Sequence, residues 1–136
     1  MTSAVSVAIF NSSEDLAELL RDALEQNGFV VITARVDDVR RARSDVKALM
    51  EQHDPLVVVY DLIPPFVRQW NFVTHLRQTA DFVRRAFVFT SANAAAARND
   101  VGHTEPIVEV LGRDADCQAV VDAVKTAAAT WKASVA

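Results

Sequence analysis

One stretch, Leu56-Val57-Val58-Val59-Tyr60-Asp61-Leu62-Ile63-Pro64-Pro65, constrains the fold more than any other part of the chain. From Leu56 to Tyr60 no polar residue interrupts an apolar run dominated by β-branched valine. A half-exposed strand alternates apolar and polar residues, so an uninterrupted run reads as a strand buried on both faces of a parallel sheet. The run ends on a carboxylate and then on two prolines, which cannot donate to a ladder. Asp61 therefore falls at the carboxyl end of a central strand, where open α/β sheets place their ligands. The plainer alternative is that Asp61 hydrogen-bonds the turn that follows it.

The rest of the chain alternates around this strand. Val5 to Phe10 is a first strand, closed by the cap and turn formers Asn11-Ser12-Ser13. Glu14 and Asp15 suit the positive end of a first helix, whose inner stripe is Leu16, Leu19, Leu20, Ala23 and Leu24, with Gly28 as its stop. Phe29 to Thr33 is a second strand. Asp37 or Asp38 opens a second helix with Val39, Ala42, Val46, Leu49 and Met50 inward, and Arg40, Arg41, Arg43 and Lys47 form its solvated face. A third helix spans Phe66 to Gln78, with Phe66, Trp70, Val73, Leu76 and Arg77 following its turns. Ala86 to Thr90 is a fourth strand. Ser91-Ala92-Asn93 leads into a short, lightly anchored fourth helix at Ala94 to Ala97, ended by Gly102. Ile107 to Leu111 is a fifth strand. A last helix runs from Asp114 or Asp116 to Lys132, packed through Val120, Val121, Val124, Ala128 and Trp131.

Five strand–helix pairs joined by short loops imply an α/β fold with a parallel sheet and helices on both faces. Right-handed crossovers leave the flavodoxin-like (βα)5 three-layer sandwich, strand order 2-1-3-4-5, as the topology expected at this length. Residues 1–136 read as a single domain without repeat, linker or low-complexity segment. The net charge of −4 argues against nucleic acid as a partner. The N-terminus lacks the pattern of a signal peptide, no run is long enough to span a membrane, and Cys117 is the one cysteine. These features point to the cytoplasm.

In that topology the carboxyl ends of strands 1, 3, 4 and 5 converge. They bring together Asn11, Ser12 and Ser13, then Asp61 and Ile63, then Thr90 and Ser91, then Gly112 and Arg113. Val57 to Pro65, ending in Tyr60-Asp61-Leu62-Ile63-Pro64-Pro65, resembles the phosphoacceptor strand of response regulator receiver domains. Thr90-Ser91-Ala92 resembles their switch hydroxyl and the small residue after it. The resemblance covers Val5 to about Ala129. It implies that Asp61 is the phosphoacceptor and Thr90 the switch residue, with Asn11, Ser12, Ile63, Ser91, Gly112 and Arg113 around them. It also implies two-component phosphorelay signalling with a histidine kinase or phosphotransfer protein upstream and an output protein downstream. The expected contact face is helix 4, strand 5 and helix 5.

The sequence departs from that family in three ways. The acidic pair that joins the phosphoacceptor in holding Mg²⁺ falls on Asn11 and Ser12, which keep oxygen donors but carry no charge. Only weak Mg²⁺ binding at Asp61 is expected, because Mg²⁺ prefers hard anionic oxygens. The lysine at the end of strand 5 becomes Gly112 and the proline after it Arg113, a candidate substitute cation. The strand-5 aromatic becomes Glu109. With no like charge beside it, Asp61 lacks the usual reason for a raised pKa. The pattern is that of an atypical, degenerate receiver. The alternative is a pseudo-receiver acting as a phosphorylation-independent interaction module.

Two other classes fit poorly. A phosphate cradle at Asn11-Ser12-Ser13 would need glycine, and Glu14 and Asp15 would repel the anion. An enzyme would need a nucleophile–base pair, yet His53, His75 and His103 are dispersed and Cys117 has no histidine near it. Trp70 and Trp131 read as packing residues, and the last helix, with Val121, Val124 and Trp131, is the expected surface for a homodimer.

Overall fold

The computed structural model describes residues 4–41, 44–102 and 106–135. Five strands, β1 (Ser6–Asn11), β2 (Val30–Arg35), β3 (Val57–Asp61), β4 (Ala86–Ser91) and β5 (Ile107–Glu109), form one parallel sheet in the order β2-β1-β3-β4-β5. The expected topology is the observed one. Every residue of β3 is buried, as the unbroken valine run requires.

Period-2 alternation sorts the strands onto two faces. Val7, Ile9, Val57, Val59 and Val88 pack beneath α1 (Glu14–Gln26) and α6 (Asp114–Val135). Ala8, Phe10, Val58, Tyr60 and Phe89 pack beneath α2 (Val36–Arg40), α3 (Ser44–His53), α4 (Phe66–Leu76) and α5 (Ala94–Val101). The first layer is aliphatic. The second is aromatic, with Trp70 edge-on to Phe89 at 5.0 Å and Phe87 stacked on Phe89 at 5.8 Å. Along the last helix Val120, Val121, Val124 and Ala128 are buried, as its periodicity predicts.

Three expectations are corrected. The second helix is two helices, because residues 40–43 carry three arginines and no large apolar residue to anchor them. Val39 holds α2 to the core, Val46 and Met50 hold α3, and Ala42 and Arg43 lie outside the described residues. Leu19 is exposed, and the buried positions of α1 are Ala17, Leu20 and Leu24. β5 ends at Glu109, not Leu111: the Leu111 N–H leaves the ladder and donates to Asp116 Oδ2 at 2.8 Å. His103 also lies outside the described residues. The Pro64–Pro65 peptide is cis. No described helix is long and apolar enough to cross a membrane.

Candidate functional site

Asp61 and Thr90 are register partners at the ends of β3 and β4. Their side chains fall on the α1/α6 side by strand alternation, and Thr90 Oγ1 donates to Asp61 Oδ1 at 2.8 Å. The Leu62 N–H donates to the Thr90 carbonyl at 2.7 Å and carries the β3–β4 pairing one step past the carboxylate. Thr90 is fully buried and Asp61 is 7% exposed. Burial drives the Asp61 pKa up to about 6, against the smaller opposing effect of the Thr90 hydroxyl, and no charged group contributes. Like charges play no part, as the sequence implies. The pKa is raised all the same, because the carboxyl sits in a nearly dry environment with no counter-cation among the described residues.

The residues expected around this pair end the neighbouring strands, and several are engaged in bonds of their own. Asn11 follows the Phe10–Tyr60 register pair and is buried, so it is the strand neighbour of Asp61. Its Oδ1 accepts the Ser13 N–H at 2.9 Å, and Ser13 Oγ in turn accepts the Leu16 N–H to cap α1. The two thus shape a helix entrance, with Glu14 and Asp15 in its first turn. Ser12 is exposed. Ser91 is buried, and its hydroxyl accepts the Asn93 N–H at 3.1 Å while Asn93 caps α5. Glu109 lies opposite Ser91 and accepts the Ala94 N–H at 3.4 Å, where receiver domains carry the aromatic.

Arg113 does not turn toward Asp61. Its exposed guanidinium binds Asp116 through Nη2–Oδ1 at 2.9 Å and Nε–Oδ2 at 3.2 Å. Arg113 and the Leu111 N–H together hold the Asp116 carboxyl down near a pKa of about 2. Gly112 has φ +97°, a left-handed conformation that suits glycine and strains any side chain. A lysine at this position would be strained on this backbone. At the positions that the receiver resemblance assigns to Mg²⁺ ligands, Asn11 and Ser12 are neutral, so Asp61 is the one carboxylate of that set, a poor match to an ion that prefers several anionic oxygens. Among the described residues no three His, Cys, Asp or Glu side chains gather as metal ligands.

Sequence reasoning passed over Gln69. It is buried in the first turns of α4 and its Oε1 accepts the Ile63 N–H, fixing the loop after Asp61. A polar residue at the inward spacing Phe66–Gln69–Val73 was the available signal. Asp116 was visible only as a helix-start acid, and its grip on the β5–α6 loop needed the turn at Gly112 to be known.

No family model matches the sequence, and no curated protein matches it. Solved structures match over nearly its whole length. A sensor protein from Polaromonas sp. JS666 is similar at 17% identity, with 95% of this chain and 99% of that one covered and a TM-score of 0.70. A response regulator from Thermotoga maritima is similar at 16% identity, covering 93% and 99%, with a TM-score of 0.65. An atypical orphan response regulator, described as having a phosphorylation-independent regulatory mechanism, is similar at 14% identity, covering 93% and 98%, with a TM-score of 0.62. With the strand order and the Asp61–Thr90 pair already established, the chain has the CheY-like fold of response regulator receiver domains.

Proposed function

We propose that the chain is a receiver-type signalling module of the two-component class that works through protein contacts without phosphoryl transfer to Asp61. The observation that carries this reading is the state of Asp61: 7% exposed, bonded to Thr90, and raised to a pKa of about 6 by burial alone. A carboxylate nucleophile for phosphoryl transfer needs to be reachable and relieved of charge by cations as the phosphoryl group arrives, and Asp61 is buried. Asn11, Ser12 and Gly112 supply no charge for that purpose, and Arg113 is held by Asp116. The output face is α5, β5 and α6, whose loops Ser91, Asn93 and Glu109 tie to the end of β4. The module carries no reaction of its own. Upstream and downstream partners are proteins of the signalling pathway.

A second reading keeps Asp61 as the phosphoacceptor, and the Thr90 hydroxyl at 2.8 Å favours it, since that is the contact a switch hydroxyl would exchange for a phosphoryl oxygen. Beryllofluoride with millimolar Mg²⁺, followed through the amide spectrum, separates the two. The first reading expects no saturable shifts at Asp61, Thr90 or α5. Saturable shifts there that vanish in Asp61→Asn establish the second.

A further inference from the structure

β2 is an outermost strand of the sheet and pairs with β1 alone. The Val30 N–H donates to the Val5 carbonyl, which sets the alternation of the ladder. Val30, Ile32 and Ala34 bond to β1, so the N–H and C=O groups of Val31 and Thr33, with the Arg35 N–H, point away from the sheet. Among the described residues no hydrogen bond takes up these outward groups. The strand runs Val-Val-Ile-Thr-Ala-Arg, with neither lysine nor proline to guard it. An edge left open in this way is a template for another strand.

The open edge lies in a cleft. α1 and α3 cover opposite faces of the sheet, yet Ala17 and Glu18 of α1 and Val46 and Leu49 of α3 line one space of about 360 Å³. Thr33, Ala34 and Arg35 line it between them. Thr33 and Arg35 fall on the α1 side and Ala34 on the α3 side, so the cleft reaches round the outer side of β2. Its size is that of a ligand cleft.

Charge selects the occupant. Glu14, Glu18, Asp38 and Asp45 stand against Arg35 as the one cation, so the described lining residues carry a net charge of −3. Arg35 is paired with Glu14 at 3.6 Å, and Asp38 and Asp45 have interactions of their own. The sign of the walls, not a free carboxylate, is therefore what a ligand meets. Pairing β2 with the β2 of a second copy would press two acidic walls together. A segment carrying lysine or arginine meets no such barrier.

We infer that the β2 edge is a docking site for an extended, basic segment of a partner protein. The segment adds to the sheet beside β2 and bonds through the outward groups of Val31 and Thr33. Side chains of an added strand alternate between faces. One set meets Glu14 and Glu18 and suits basic residues; the other meets Val46 and Leu49 and suits apolar ones. The site lies at the edge of the sheet opposite β5 and uses neither Asp61 nor the α5–β5–α6 face, so its test is separate from that of Asp61.

The test uses the full ¹⁵N-labelled chain at constant ionic strength. The probe is an acetylated and amidated peptide of alternating lysine and valine, about six residues long to match the strand. It is expected to give saturable shifts at the Val31, Thr33 and Arg35 amides, with half-saturation on the order of millimolar. Hydrogen exchange at Val31 and Thr33 is expected to slow several-fold, while Ile32 and Ala34, already bonded to β1, change little. The same peptide with glutamate for lysine is expected to bind about tenfold more weakly, and Glu14→Gln with Glu18→Gln to weaken the lysine peptide several-fold. Thr33→Pro removes an outward N–H that the sheet's own ladder does not use and is expected to abolish the shifts, with its amide spectrum checking the fold. Should that variant not fold, the probe N-methylated at every residue makes the same cut from the peptide side and is expected not to bind. Equal shifts with the N-methylated or the glutamate peptide, or no saturable shift at all, overturn the proposal. So does a chain that sediments as a dimer and is dissociated by Thr33→Pro, which gives the edge to a second copy.

Discussion

The two ends of the β3–β4 pair each hold one ionisable group, and they treat it in opposite ways. At the amino edge Arg85, its side chain 12% exposed, has acceptors for four of its five N–H groups. Its Nη1 donates to Asp54 Oδ1 at 2.9 Å and to the Pro55 carbonyl at 2.7 Å, its Nη2 to the Met50 carbonyl at 3.4 Å, and its Nε to the Asp81 carbonyl. One guanidinium thus ties the end of α3, the entry to β3 and the segment before β4. At the carboxyl edge Asp61 has one hydrogen bond from Thr90 and, among the described residues, no cation beside it. A buried charge with its partners in place staples a fold, whereas one without them is more stable neutral. The staple belongs to architecture. The carboxyl at the other end is where a receiver would do chemistry, and here burial raises its pKa to about 6 with the Thr90 hydroxyl as its partner.

Breaking the staple gives the largest loss of stability. Arg85→Ala removes the donor to the Pro55 and Asp81 carbonyls, while the Met50 carbonyl keeps the Asp54 N–H and exposed Asp54 is solvated, and is expected to cost about 2–3 kcal/mol in urea unfolding, with Arg85→Lys recovering a minor part because lysine lacks the planar fork.

The opposite edge responds in the opposite direction. Asp61 binds its proton up to about pH 6 in the fold but only to about 3.8 in the unfolded chain. Between those values the folded state holds more protons, so its contribution favours folding below pH 3.8 and is lost as pH rises through 6. The loss comes to about 3 kcal/mol from a shift of roughly two units. Asp61→Asn is therefore expected to stabilise the protein at neutral pH by up to that amount and to have little effect near pH 3.8, as denaturation across pH would register. A neutral-pH loss of stability in Asp61→Asn would mean that the carboxylate has a cation after all.

Gly112→Lys restores the residue type that receivers carry at the end of strand 5. At φ +97° it is expected to cost about 1–2 kcal/mol and to leave the Asp61 pKa raised. The smallest effect is at the output side. Glu109→Ala removes an exposed carboxylate from the start of α5 and is expected to cost about 0.5 kcal/mol, seen as faster hydrogen exchange at Ala94 to Ala97.

The architecture was largely legible because periodicity carries it. Val57 to Tyr60 announced a doubly buried strand, and Val120, Val121, Val124 and Ala128 announced the packed face of the last helix. The broken second helix was not legible, since Val39, Val46 and Met50 keep helical spacing across an arginine-rich segment. At the site, spacing located Asp61 and Thr90, but spacing says nothing of how dry a carboxyl is. Arg113 shows the same gap: a cation three residues before Asp116 finds it across one helical turn, and only the loop geometry reveals that local bonding wins over the pocket. Gln69 and Arg85 act across 6 and 30 or more residues, where a single sequence offers no pairing signal.

The most direct measurement follows the Asp61 carboxyl carbon by NMR from about pH 3 to about pH 8, with and without millimolar Mg²⁺. A single titration with its midpoint near 6, unmoved by Mg²⁺, is the expected result for a dry carboxyl without a cation site. A midpoint in the ordinary carboxylate range, or one that Mg²⁺ drives down, would contradict it and return Asp61 to the role of phosphoacceptor.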